Sequence, residues 1–197
     1  MNRTLLKRIL LWTQRVLLVC AISLLGYCGF VIVSTWIFQK QASQELERRL
    51  QDERPAHSEA SRIPRIADDG LIGRIEIPRI GVSAIVFEGT GKGTLSRAVG
   101  HIAGTALPGE PGNTGLAGHR DTFFRPLKDI LRNDIITLTT LGGDYRYRVV
   151  STRVVNPKES SVLDSTAEEI LTLVTCHPFY FVGSAPNRFI VRAKRVI

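Results

Sequence analysis

The chain has little cysteine. Of its three cysteines, Cys20 and Cys28 lie in an N-terminal hydrophobic stretch, and Cys176 stands alone beyond it. A disulfide inside that outer region is therefore excluded. No Cys/His cluster has the spacing of a structural zinc site. The acidic pair Asp68–Asp69 falls well short of the roughly six to eight oxygen ligands calcium takes. No metal dependence and no organic cofactor are expected. Internal repeats, long low-complexity tracts and an obvious long N-terminal lid are also missing. The formal charge is +8, but four of those charges (Arg3, Lys7, Arg8 and Arg15) crowd the N-terminus. The rest form no basic stripe with interleaved aromatics, which argues against nucleic-acid binding.

What is present begins with a run of 23 residues without charge, Val16 to Phe38. As a helix it would rise about 34 Å, enough for a hydrocarbon core of about 30 Å. Its length favours an uncleaved anchor over a signal peptide. Four basic residues are packed into the short tail before the span, whereas Lys40, Arg48, Arg49 and Arg54 are spread over a longer stretch after it. This flanking pattern predicts a cytoplasmic tail over 1–15, a membrane helix over 16–38 and an exterior C-terminal domain. Residues 39–67 are polar: QASQELERRLQDER has helix-forming character, and Pro55 and Pro64 interrupt it, so a short helical stalk and an irregular tether are expected.

The domain over 68–197 is rich in short β signals. LIGRIEIP and VSAIVF flank a turn at Pro78 to Gly81. DIITLTT, DYRYRVVSTRVV, EILTLVTC and NRFIVRAKRV are further strands, with Gly142-Gly143 as a hairpin turn. A brief helix is expected over Thr94 to Ala98, and Gly100 to Gly118 reads as a Gly/Pro-dense connection ending in TGLAGHR. Several short strands with little room for helices predict a compact β-barrel or sandwich.

A lone thiol closing the apolar run ILTLVTC has two readings, an inert buried cysteine or a nucleophile. A nucleophile at neutral pH needs a nearby imidazole and a donor for the developing oxyanion. Among the four histidines, His57 lies in the polar tether, and His177 adjoins Cys176 but points to the opposite face of a strand. His101 and His119 both remain open as the base, or as satisfied structural histidines; the apolar TGLA segment and turn-prone HRD around His119 favour it, as a side chain presented at a strand end. Arg188, twelve residues after Cys176, opens NRFIVRAKRV. A return strand would bring its permanently charged fork beside the thiol, although a solvated basic face is the ordinary fate of such arginines.

AGHRDTFF around His119, LTLVTCHPF around Cys176 and NRFIVRAKRV from Arg188 resemble the three catalytic motifs of a sortase, over about Ile72 to Val196. The proline after Cys-His and the SAPNRF segment look most like class D. The resemblance implies a closed eight-stranded β-barrel with short helices, and a catalytic triad of His119, Cys176 and Arg188. It implies supporting or substrate-lining roles for His101 and Thr175. It also implies a membrane-anchored cysteine transpeptidase that cleaves an LPxTG-like sorting signal and passes the acyl group to an amine. Its partners would be surface proteins or pilins, with a peptidoglycan precursor or pilin supplying the amine. The alternatives are a secreted cysteine hydrolase and a non-enzymatic surface-binding β-domain.

Overall fold

The computed structural model describes residues 3–53, 66–181 and 183–196. They fall into two compact units, 1–38 and 39–197. Helix α1 runs from Arg3 to Glu53. In the first unit its apolar side chains, among them Leu17, Leu24, Phe30 and Ile32, are exposed on all sides. A helix apolar around its whole circumference is suited to lipid, and this one is long and apolar enough to cross a membrane.

The second unit is built on eight strands: β1 (Leu71–Ile77), β2 (Val82–Glu88), β3 (Val99–His101), β4 (Asn113–Ala117), β5 (Ile135–Thr140), β6 (Gly143–Val155), β7 (Ile170–His177) and β8 (Asn187–Val196). They close in the order β1-β2-β3-β4-β7-β8-β6-β5. The closed barrel expected from the resemblance is present, and closure leaves no free sheet edge. Alternation within strands explains the core. Ile75 and Ile77, Ile136 and Leu138, Tyr145 and Tyr147, Leu171 and Leu173, and Val191 and Ala193 all point into one cluster. At Gly73 a Cβ would lie 2.1 Å from the Thr139 carbonyl, so glycine permits the close approach of β1 and β5.

Two strands arise within the Gly/Pro-dense stretch, where only TGLA suggests a strand end. β3 is three residues long and pairs parallel to β2, and β4 pairs parallel to β7. Segments this short carry no readable period, and parallel pairing depends on partners distant in sequence. The brief helix α2 occupies Lys92–Leu95, slightly before its expected position. The Gly142-Gly143 signal does lie at the β5–β6 connection.

The polar segment after residue 38 continues α1 and packs on the barrel. Leu46 is fully buried against Leu71 and Ile85, with Ala42, Leu50, Phe87 and Leu141 around them. The Gln39 side chain accepts from the Ile85 amide at 3.0 Å and donates to the Arg97 carbonyl at 2.5 Å. Arg49 bridges to Asp69 at 2.9 Å and Arg74 to Glu47 at 3.3 Å. Most of the expected irregular tether, including His57, Pro55 and Pro64, lies outside the described residues.

Candidate active site

β7 sits between β4 on one side and β8 on the other, and its C-terminal end carries the lone thiol. Antiparallel pairing sets Cys176 directly opposite Arg188, one pair beyond Thr175 and Phe189. Side chains of directly opposed residues share a face, with Cβ atoms about 5 Å apart. Leu171 and Leu173 point into the core, so the alternate set, Thr172, Val174 and Cys176, lies on the outer face. There Val174 packs against Val155, Val162 and Ile190. An apolar strip therefore leads along the outer wall to the half-buried, free thiol.

The other side of β7 supplies the histidine. β4 and β7 run parallel as far as the pair Ala117 and Val174. The Gly118 amide then donates to the Val174 carbonyl at 3.1 Å, and the Thr175 hydroxyl donates to the Gly118 carbonyl at 2.8 Å. His119 follows Gly118 directly, just beyond the last β4–β7 pair, at the end of the wall that carries Cys176. Its side chain is exposed, and its carbonyl accepts from the amides of Thr122 and Phe124, which folds the chain into a turn after it. The three motifs thus meet at one end of the wall, with the thiol in the middle.

Arg188 is half-buried, and its Nη1 donates to the carbonyls of Asn187 at 3.0 Å and Ala185 at 3.3 Å. These contacts use one arm of the guanidinium fork and brace it against the β7–β8 loop. Tyr180 of the same loop reaches Lys128 in the turn Arg125–Asp129, where Tyr180 and then Asp129 hold the lysine ammonium above its usual range.

His101 has a different environment. It is buried on β3, with Nδ1 at 2.7 Å from Glu88 Oε2 and Nε2 at 3.1 Å from the Ala106 carbonyl. Thr105 Oγ1 lies 3.0 Å from the same Nε2 and also accepts from the Gly115 amide. Both ring nitrogens are thereby engaged, Nδ1 tying β3 to the end of β2 and Nε2 holding the β3–β4 connection. His177 faces away from Cys176, stacked on Phe189 with ring centroids 6.2 Å apart and edge-on to Phe179 at 5.8 Å. Thr175 is 2% exposed, so its hydroxyl faces the wall, not the apolar strip.

Two features around the site had no sequence signal. Asn113 accepts from the Thr172 hydroxyl at 2.7 Å and donates to the carbonyls of Val162 and Asp164, tying the β6–β7 connection to the wall. Arg120, which reads as part of a turn, is 6% exposed and reaches the Pro178 carbonyl. Nothing in HRDTFF distinguishes a buried arginine from a solvated one. Among the described residues no group of three or more His, Cys, Asp or Glu is placed to hold a metal ion.

A thiol, an imidazole and a guanidinium carried at one end of a sheet wall are the parts acyl transfer needs: a nucleophile, a proton carrier and an oxyanion donor. Comparison with known proteins points the same way. A family model described as a sortase domain matches residues 75–196. Sortase D of Bacillus subtilis is 33% identical over 184 residues, covering 87% of this chain and 91% of that protein. Sortase A of Listeria monocytogenes is 35% identical over 112 residues, which is 55% of this chain and 50% of that protein. Among solved structures, a sortase D5 transpeptidase of Clostridium perfringens superposes with a TM-score of 0.65 at 27% identity, over 81% of this chain and 98% of that one.

Proposed function

This chain belongs to the sortase family of cysteine transpeptidases, and on that premise we propose that Cys176, His119 and Arg188 together carry out acyl transfer on an LPxTG-like sorting signal. The thiolate of Cys176 attacks the carbonyl carbon after the signal's threonine, forming a C–S bond and moving the carbonyl electron pair onto oxygen. The Arg188 guanidinium stabilises that oxyanion. Collapse breaks the C–N bond, His119 gives a proton to the departing amine, and a thioester remains on Cys176. An incoming amine then attacks the thioester and passes its proton to His119. The second oxyanion collapses, breaks the C–S bond and releases a new amide.

The observation that carries this reading is the direct pairing of Cys176 with Arg188, while β4 delivers His119 to the same end of β7. His101, with both ring nitrogens already engaged, serves as a scaffold residue. Thr175 acts by holding Gly118. The acyl donor is a surface protein or pilin bearing the signal, and the amine comes from a peptidoglycan precursor or another pilin. Residues 1–15 form a cytoplasmic tail, 16–38 cross the membrane, and 39–67 lead to an extracytoplasmic catalytic domain over 68–197.

The test is a mass-resolved incubation with sorting-signal peptides and an excess of amine. An amide adduct is expected, with a covalent peptide on Cys176 that disappears in Cys176→Ala. Predominant free acid despite abundant amine would instead identify a hydrolase. Absence of any acyl-enzyme across a broad peptide panel would leave a binding domain.

A further inference from the structure

Arg120 follows the proposed base directly, and its surroundings are unusual for an arginine. Its side chain is 6% exposed, a rare state for this residue type unless every donor is satisfied. Nη1 donates to the Pro178 carbonyl at 2.7 Å. Nε and Nη2 grip the two carboxylate oxygens of Asp121 at 3.1 and 3.2 Å. Pro178 lies two residues after Cys176, so the guanidinium crosses from the His119 turn to the segment leaving β7.

The contact completes a pattern. Before His119, Gly118 is fixed to β7 through the Val174 carbonyl and the Thr175 hydroxyl. After it, the turn is closed by bonds back to the His119 carbonyl, and Arg120 supplies a tie to the far side of Cys176. His119 and Cys176 are therefore bracketed by links at 118–175 and 120–178. We propose that Arg120 is a positioning residue for acyl transfer, holding the His119 imidazole at working distance from the Cys176 thiol. The inference rests on the His119–Cys176 pairing above. The planar fork allows one side chain to satisfy Asp121 and Pro178 together, which a lysine cannot reproduce.

Arg120→Gln and Arg120→Lys would be compared with wild type and His119→Ala, well below each variant's melting temperature. Three readouts apply: single-turnover acylation, peptide KM, and the pH profile of Cys176 alkylation by iodoacetamide. A misplacement of about 1 Å can cost roughly a hundredfold in rate. Arg120→Gln should thus lose about 30- to 100-fold in acylation with KM little changed, and Arg120→Lys about tenfold. Its alkylation profile should move toward that of His119→Ala. In the double variant Arg120→Gln should add nothing, because it acts through the histidine. Should Arg120→Gln fail to fold, Arg120→Lys and its double with His119→Ala carry the same comparison. A wild-type alkylation profile in both Arg120 variants, or an independent additive loss in the double, overturns the positioning role alone. A wild-type profile in His119→Ala overturns the pairing itself, and the positioning role with it.

Discussion

Leu46 decides whether the polar stretch after the membrane helix is a spacer or part of the catalytic domain. A spacer predicts that Leu46→Ala changes nothing. The structure predicts a substantial loss, because Leu46 is wholly buried between Leu71 and Ile85, themselves 1% and 0% exposed. Removing a buried leucine side chain costs about 2–5 kcal/mol, and the partly buried rim of Ala42, Leu50, Phe87 and Leu141 allows some collapse, favouring the middle of that range. For a domain of this size each kcal/mol is worth about 2–4 °C, so about 3 kcal/mol should lower Tm by about 6–12 °C. The assay is thermal unfolding of detergent-solubilised full-length protein, followed by near-UV circular dichroism to report barrel packing. Acylation of the folded variant at low temperature should stay near wild type, since the contact lies on β1 and β2, away from Cys176. A soluble form beginning after Glu53 should lose at least as much, because it also gives up the Gln39 and Arg49 contacts. An unchanged Tm in Leu46→Ala would refute the packing argument.

Three further outcomes are expected. Arg188→Lys keeps the charge but loses the fork, so single-turnover acylation should fall about a hundredfold, or about 3 kcal/mol, with the fold retained; near-normal acylation would remove Arg188 from the oxyanion role. His101→Ala should act on stability first, costing about 2–3 kcal/mol by orphaning Glu88 and the Ala106 carbonyl, whereas His119→Ala should abolish most turnover at unchanged Tm; matching losses of turnover in two equally stable variants would reopen the choice of base. Burial, then the nearby Glu169 charge, pushes the Tyr147 phenol up to about 12. Above about pH 10 the unfolded chain ionises this tyrosine while the folded barrel keeps it neutral, so its contribution is intact below pH 10 and is lost as pH rises toward 12. Urea midpoints for Tyr147→Phe should fall less steeply than wild type across that window, and parallel curves would count against the burial effect.

The strands that form the site's wall are legible as short apolar runs, and the two-residue period of a strand then separates Leu171 and Leu173 inward from Val174 and Cys176 outward. A separation of twelve positions from Cys176 to Arg188 leaves room for a returning strand, but a shift of one residue would put the arginine on the inner face. The choice between His101 and His119 is only partly legible in local pattern: the apolar TGLA segment favours His119 at a strand end, but both histidines sit in Gly-flanked segments. It turns on where acceptors lie, and Glu88 reaches His101 across the parallel β2–β3 pair. β3 escaped notice because three residues show no period, and Arg120 because burial of an arginine depends on Pro178, 58 positions away.

The way the three proposed groups are held implies an unequal tolerance to change. Cys176 and Arg188 belong to hydrogen-bonded neighbouring strands whose ladder continues for six pairs behind them, from Thr175 and Phe189 to Ile170 and Lys194. Single substitutions elsewhere in that wall are buffered by the remaining pairs and should act mainly on stability. His119 lies beyond the end of β4, where the ladder has stopped and side chains replace it. Thr175, Arg120 and Phe124 do the holding there, and the Phe124 ring lies so close that a Cβ on Gly118 would come within 2.7 Å of it. Small changes at Gly118, Thr175 or Arg120 should displace the imidazole without breaking the barrel. Outside the three proposed catalytic groups themselves, rate should therefore be most sensitive around the histidine turn, although the proposed covalent chemistry belongs to the strand beside it.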